Sequence, residues 1–358
     1  MSEWRETTLG QLVHNFDSLR KPVKSSDRSS GEFPYYGASG IIDWVDGYTH
    51  NGEYLLIAED GENLRSRSSP IAFMARGKSW VNNHAHAVTG NDLADTRFLE
   101  YLLAKTDVTG YLTGSAQPKL SKSSLDSIKL RVPPLRLQTA IAEVLGALDD
   151  KIAANTAVGE TLIQLAETHF RQIMNAETDE QKLGDVLSLE YGKSLPSSRR
   201  SPGSIDVYGS GGITGVHNDA LCSLPGVIIG RKGTAGAVHW SHKPFFPIDT
   251  TFYVAPTHPS VSQIFCYFLL KTIRLDEMNN DSAVPGLNRN QAHASRVTLP
   301  SITAIEDFTS LTSKLFGKAA QTNSEQEILR CTRDALLPQL MSGKLRVKDA
   351  EAVVSAAV

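Results

Sequence analysis

The feature that most constrains this chain is an internal duplication. YGASGIIDW at 36–44 returns as YGSGGITGV at 208–216, with the same Tyr-Gly, small-residue pair and Gly-Ile, 172 positions later. FLEYLLAKT (98–106) recurs as IFCYFLLKT (264–272) at an offset of 166, and QPKLSKSSLDSIKLRVPPL (117–135) as VPGLNRNQAHASRVTLPSI (284–302) at 167. In that register Pro118 meets Pro285, Leu120 meets Leu287, Lys122 meets Arg289 and Pro133 meets Pro300, and the alignment runs on without a gap to Gln172 and Met174 opposite Gln339 and Met341. A period near 170 is too long for a solenoid unit, so each copy is expected to be a domain-sized module followed by a connector.

The connectors have helical periodicity. The first, after Pro133-Pro134, places Ile141, Leu145, Leu148, Ile152, Leu162 and Leu165 at spacings of 3 and 4 and their sums; the second places Ile305, Phe308, Leu311, Leu315, Leu329, Leu336 and Leu340 likewise, with no interior proline before Pro338. Two such narrow seams are expected to pack antiparallel as a coiled coil, through Leu148, Ile152 and Leu162 on one helix and Leu315, Leu329 and Leu336 on the other. Asn155 stands where the seam wants an aliphatic. It is either a tolerated polar residue near the weak stretch at Gly159 or half of a buried polar pair that fixes register.

The modules read differently. YLLIA, IAFMA, VIIG and TTFYVA are short apolar runs bounded by Gly, Pro, Asn and Asp, which predicts strands joined by long polar loops. The expected fold is α+β: two tandem mixed modules with small sheets, on two long antiparallel helices. The expected boundaries are a module at 1–134, a helix at 135–176, a module at 177–300, a helix at 301–346 and a flexible tail at 347–358.

A composition of 41% apolar and 21% charged residues belongs to an ordinary soluble protein, and no 18-residue apolar run could span a membrane. The N-terminus lacks the basic-then-apolar order of a signal peptide, and Cys222, Cys266 and Cys331 are far apart, so a reducing cytoplasm without disulfide framework or zinc site is expected. The net charge is −3, with balances of −1, −3, +1 and 0 over 1–134, 135–177, 178–300 and 301–358. Any grip on nucleic acid is therefore local or shared with a partner.

Familiar catalytic motifs fail one by one. Gly-Lys-Ser occurs at 77–79 and 192–194, but Ala72 and Leu187 stand where a phosphate-binding loop needs its first glycine. YGSGGITGV has Thr214 in place of the third glycine of a dinucleotide fingerprint, so its glycines are expected to shape a turn beside strands. No Asn/Asp-Pro-Pro-aromatic methyltransferase motif and no acidic-plus-lysine nuclease cluster is present. His84-Ala-His86 offers two imidazoles, too few to close a metal site, and the second copy has Asp249 and Thr251 nearby instead.

What remains is loops rich in side chains that suit DNA. EDGENLRSRSSP (59–70) carries Asn63, Arg65 and Arg67, and GRKGTAG (230–236) carries Arg231 and Lys232 at the comparable place. Guanidinium and carboxamide groups fit guanine and adenine edges, while lysine and serine fit phosphates. Gln117, Lys119 and Lys122 in the first copy and Asn288 and Arg289 in the second repeat a basic or amide group beside a shared Pro-x-Leu, where a helix cap is the alternative role. Lys78 and Lys193, from the two Gly-Lys-Ser triplets, complete the candidate DNA contacts.

The order YGASGIIDW, LLIAEDGENLRSRSSPIAFMARGKSWVNNHAHAV, GSAQPKLSKSSLDSIKLRVPP, long helix, EYGKSLP, YGSGGITGV, VIIGRKGTAGAVHW, PIDTTFYV, long helix, LLPQLMSGKLRV resembles the specificity subunits of Type I restriction-modification systems across almost the whole chain. The resemblance implies two target-recognition domains, each reading one half of a split double-stranded DNA target, and two helices that dock two methyltransferase subunits, with or without restriction (translocase and nuclease) subunits. It implies no catalysis and no cofactor in this chain: S-adenosylmethionine sits on the methyltransferase partner, ATP and magnesium on the restriction partner. Strongly different loops in the two copies imply an asymmetric target. Departures are Gly146 and Gly159 within the first helix and Arg136-Leu137 before Gln138, where the family commonly places Glu-Glu. Three alternatives stay open: a recognition subunit of a Type IIB-like or stand-alone methylation system, a coiled-coil protein-binding scaffold, and an enzyme acting alone on DNA.

Overall fold

The computed structural model describes residues 4–114, 116–175, 178–278 and 286–357. The chain divides into two compact units, Met1–Ala153 with Gln326–Val358, and Ala154–Glu325. Each unit takes part of both long helices, whereas the sequence boundaries set the helices apart as connectors.

The first unit is built on a six-stranded sheet in the order Val13–Asn15, Ala85–Gly90, His50–Ala58, Ala72–Val81, Ser30–Gly37, Gly40–Val45. The central strand His50–Ala58 explains the apolar run YLLIA. Leu55 and Ile57 enter the main core, while Leu56 enters a smaller cluster with Ala75, Val81, Ala85 and Ala87, so consecutive residues are buried on opposite sides. Helix Thr96–Lys105 lies on the main core through Phe98, Leu99 and Leu103, and its start is fixed by Asp95, whose carboxylate accepts from Phe98 N at 2.9 Å.

The second unit repeats this order in two pieces. Leu187–Tyr191, Thr251–Pro256, Gly226–Gly230 and Val238–Ser241 form one sheet, and Gly212–His217, Ile205–Gly209 and Phe245–Pro247 form another. In the first unit the ten-residue strand Ala72–Val81 serves both parts. Its counterpart is interrupted between Ser241 and Phe245, where Pro244 has no N–H to give a ladder. Helix Gln263–Thr272 is capped by Ser262, as the matching helix is by Asp95.

The repeated glycine motif makes the same hairpin twice. Gly37 pairs with Gly40 and Gly209 with Gly212, each across a two-residue turn. Gly40 (φ +118°) and Gly212 (φ +109°) occupy backbone that a side chain disfavours. The motif shapes strands, as expected from Thr214.

The long helices run Leu135–Met174 and Ile302–Met341, 40 residues each and offset by the same 167 positions as the sequence repeat. In the first unit Ile141, Leu145, Leu148 and Ile152 share a core with Leu329, Leu336 and Leu340; in the second, Ala166 and Phe170 share one with Ile305, Phe308 and Phe316. Early residues of one helix meet late residues of the other, and the reverse, which makes the pair antiparallel. The seam departs from the simple spacing. Leu165 and Leu311 are 51% and 41% exposed, and Ala166, Phe170 and Thr312 face inward, because a straight helix of 3.6 residues per turn drifts off a 3.5-residue stripe. Thr312 satisfies its buried hydroxyl on Phe308 O at 2.7 Å. Leu162 is half-buried, and Leu315 packs partly buried against the second core. Asn155 is buried with Nδ2 lacking a hydrogen-bond partner, so a polar pair through its amide nitrogen is not formed. Gly146 has a reason of its own: the Arg97 guanidinium lies where a side chain would stand and donates to Gly146 O at 3.1 Å.

The flexible tail expected at 347–358 is corrected. Val347–Ala357 is a helix, and Ala350 and Val354, one turn apart, are buried in the first core. Pro285, matched to Pro118 in the sequence register, lies outside the described residues.

The second core depends on aromatic packing around Phe170, which touches Phe265, Phe268 and Phe308 with ring centroids 5.5, 5.6 and 5.8 Å away. Phe170→Ala is expected to destabilise the chain by about 3–5 kcal/mol through the cavity it leaves. A urea titration would show the loss, and an unchanged midpoint would mean that this cluster carries no packing load.

Candidate nucleic-acid interface

The candidate interface is built at one strand end that occurs in both units. In the first, His50–Ala58 ends at Glu59, whose N donates to His84 O at 2.9 Å and whose O accepts from Leu120 N at 2.7 Å. In the second, Gly226–Gly230 ends at Arg231, whose N donates to Thr250 O at 2.8 Å and whose O accepts from Leu287 N at 2.9 Å. The next residues make matching bridges, Asp60 with Lys119 and Lys232 with Gly286. The backbone is repeated and the charge inverted: Glu59-Asp60 in one copy stands where Arg231-Lys232 stands in the other.

In the first copy the acidic pair is neutralised within the fold. Glu59 lies 2.6 Å from Arg20 Nη1 and 3.2 Å from Lys119 Nζ. Arg20 also reaches Asp17 at 3.2 Å, and Asp17 accepts from Ala87 N at 2.9 Å. Buried His86 places Nδ1 2.6 Å from Asp17 and Nε2 2.8 Å from Leu120 O. Exposed His84 pairs with Asp60 at 2.8 Å. The two imidazoles of His84-Ala-His86 are therefore held by carboxylates. Among the described residues no group of three or more His, Cys, Asp or Glu could hold a metal ion.

In the second copy Tyr191 and Phe252 pack together, ring centroids 5.0 Å apart and planes tilted by 58°. The Arg231 guanidinium lies 5.2 Å from the Tyr191 ring and 5.9 Å from Phe252, and Arg289 lies 5.5 Å from Tyr191. Arg231 donates through Nε and Nη2 to Asp249 O at 3.1 and 2.6 Å; Arg289 is tied to Ser188 Oγ at 3.3 Å and Glu190 at 3.6 Å. Lys193 and Lys232 are exposed nearby in the chain, next to Gly192 and Arg231.

The remaining sequence candidates divide by what holds them. Asn63 serves its own loop: Oδ1 accepts from Ser69 N at 2.9 Å, and Nδ2 donates to Ser69 O at 3.1 Å. Arg67, in left-handed backbone at φ 52°, turns inward and donates to Leu103 O and Thr106 O at the end of helix Thr96–Lys105. Asn63 thus supports its own loop and Arg67 the end of a helix, uses that residue type alone does not reveal. Arg65 donates to Gly114 O at 3.0 Å. Asn288 caps helix Arg289–Ala294, accepting from Asn290 N and Gln291 N at 2.9 and 3.1 Å, the cap alternative noted in the sequence. Gln117 and Lys122 are exposed, and Lys78 is exposed with its ammonium 4.9 Å from the Tyr48 ring. Sequence reasoning missed Asp17, Arg20 and Tyr191. Asp17 and Arg20 lie on a short turn after the strand Val13–Asn15, and Tyr191 ends the strand Leu187–Tyr191, with no local pattern that marks them.

Residues 1–163 match the family described as Type I restriction modification DNA specificity domain. The match covers the first module and part of the long helix that follows it, and 178–300 repeats the strand order of that module. A putative type I restriction enzyme specificity subunit of Haemophilus influenzae is 44% identical over 147 residues, 41% of this chain and 37% of that protein, so the match spans little more than a third of that relative. The MjaIX specificity subunit of Methanocaldococcus jannaschii is 22% identical, over 97% of this chain and 98% of its own. The crystal structure of a Type I restriction-modification S subunit from M. genitalium has the same fold, at a TM-score of 0.67 and 18% identity over 95% of this chain and 96% of that one.

The ionic network at the first strand end has a pH signature. Burial raises the Asp17 and Glu59 carboxyls, but bonds and charge outweigh it: His86, the Ala87 amide and Arg20 on Asp17, and Arg20, His86 and Lys119 on Glu59. Both titrate below the ordinary carboxylate range. Their stabilisation is present above an unfolded value of about 4 and is lost as pH falls through the lower folded values. The urea midpoint of the native chain is therefore expected to fall between about pH 5 and pH 2 more steeply than that of Asp17→Asn. Equal slopes would show that the network is not coupled to folding.

Proposed function

We propose that the chain is the sequence-specific DNA-recognition subunit of a Type I restriction-modification complex. The observation that carries this is the repeated strand end: one backbone arrangement, made twice, with opposite charge at the same position. A catalyst has no use for two such sites that differ in chemistry, whereas a reader of a split, asymmetric target needs two of one geometry with different side chains. The family match over 1–163 supports the same role.

In this proposal 1–134 and 177–300 are the two target-recognition domains, each reading one half-site of double-stranded DNA. The long helices dock two methyltransferase subunits, and the chain performs no chemistry. S-adenosylmethionine belongs to the methyltransferase subunits, and ATP and magnesium to a restriction subunit where one joins. The setting is the cytoplasm, where the DNA is. With a net charge of −3 the chain holds DNA through local groups, Arg65, Lys78, Gln117, Lys119 and Lys122 in one domain and Lys193, Arg231, Lys232, Asn288 and Arg289 in the other. The partners supply further phosphate contacts.

The test is co-expression with its methyltransferase subunits followed by genome-wide mapping of methylated sites. The expected result is a single motif of two different half-sites around an unspecified gap, absent when this chain is left out. A purified chain that methylates or cuts DNA alone, or partner subunits that methylate the same motif without it, would overturn the proposal.

A further inference from the structure

We infer that Arg231 reads a guanine within the half-site of the second domain; this rests on the recognition role proposed above. Three observations fix the guanidinium before any DNA arrives. Its backbone is bonded on both sides, N to Thr250 O and O from Leu287 N. Its Nε and Nη2 converge on one acceptor, Asp249 O, which fixes the side edge of the group. Its Cζ lies 5.2 and 5.9 Å from the ring centroids of Tyr191 and Phe252, within cation–π range of both.

A guanidinium has five N–H groups arranged as a fork. With the Nε–Nη2 edge on Asp249 O, the end-on edge keeps one N–H on Nη1 and one on Nη2, side by side, with no hydrogen-bond partner among the described residues. Two parallel donors match the O6 and N7 acceptors that guanine alone presents together in the major groove. Adenine offers N7 beside an amino donor, which a group without acceptors cannot satisfy. Arg289 is the weaker candidate, because Ser188 and Glu190 already hold it. Exposed Lys193 and Lys232 suit phosphates. At the matching place in the first domain stands Glu59, 13% exposed and paired with Arg20 and Lys119, so this guanine contact belongs to one half-site only.

The experiment uses the complex with its methyltransferase subunits and the motif it methylates. Each guanine of the motif is replaced in turn by 7-deazaguanine, which lacks the N7 acceptor, and Kd is measured for the native complex, Arg231→Ala and Arg231→Lys. One replacement is expected to weaken native binding by roughly ten- to a hundredfold, and to change little in either variant, whose methylated motif relaxes at that base. Arg231→Lys keeps the charge but not the paired edge, and serves if Arg231→Ala fails to fold. A uniform loss across all sequences with the motif intact would make Arg231 a phosphate contact and overturn the inference. So would a motif in which no guanine is sensitive. A native complex that shows no motif at all would instead overturn the recognition role.

Discussion

Both candidate interfaces depend on a strand end with no backbone choice left. Glu59 and Arg231 each have the N–H and the C=O bonded, to His84 and Leu120 in one copy and to Thr250 and Leu287 in the other. A buried backbone group without a partner costs as much as a lost hydrogen bond, so this position is held whichever side chain it carries. Glutamate and arginine occupy equivalent backbone, and only their surroundings differ.

Those surroundings have been rebuilt around each charge. Arg20, Lys119 and, at 3.8 Å, His86 surround the Glu59 carboxylate, and Asp17 in turn holds Arg20 and His86. Tyr191 and Phe252 give the guanidinium flat faces, and Asp249 lends a carbonyl. A buried charge is tolerated only when paired and hydrogen-bonded, which explains why the acidic copy gathers three basic side chains around Glu59. A half-exposed guanidinium keeps part of its hydration and needs fewer. The arginines differ in what the fold asks of them: Arg67 donates to Leu103 O and Thr106 O, whereas Arg231 uses only Nε and Nη2, both on Asp249 O.

Much of the architecture was legible because the duplication tests itself. Two helices of 40 residues at the same offset as the repeat, and two hairpins on the same glycines, follow from patterns that occur twice in one chain. What escaped the sequence is contact between distant positions. Asp17 and His86 are 69 residues apart, Arg20 and Glu59 are 39 apart, and no local pattern joins them. The final helix was hidden because two buried residues, Ala350 and Val354, are too few to make a stripe. Leu165 and Leu311 were misplaced because the drift of a straight helix is small per turn and large over ten turns. Residue type singled out the strand-end loops but could not say which arginines the fold itself would use.

The central claim is that one scaffold, present twice, reads two half-sites independently. Exchange of residues 1–134 for the matching domain of another such subunit tests it most directly, with methylated sites mapped for the exchanged and native chains in the presence of the methyltransferase subunits. The account predicts that one half-site is replaced while the other half-site and the gap persist. Replacement of both half-sites in an active complex would contradict it.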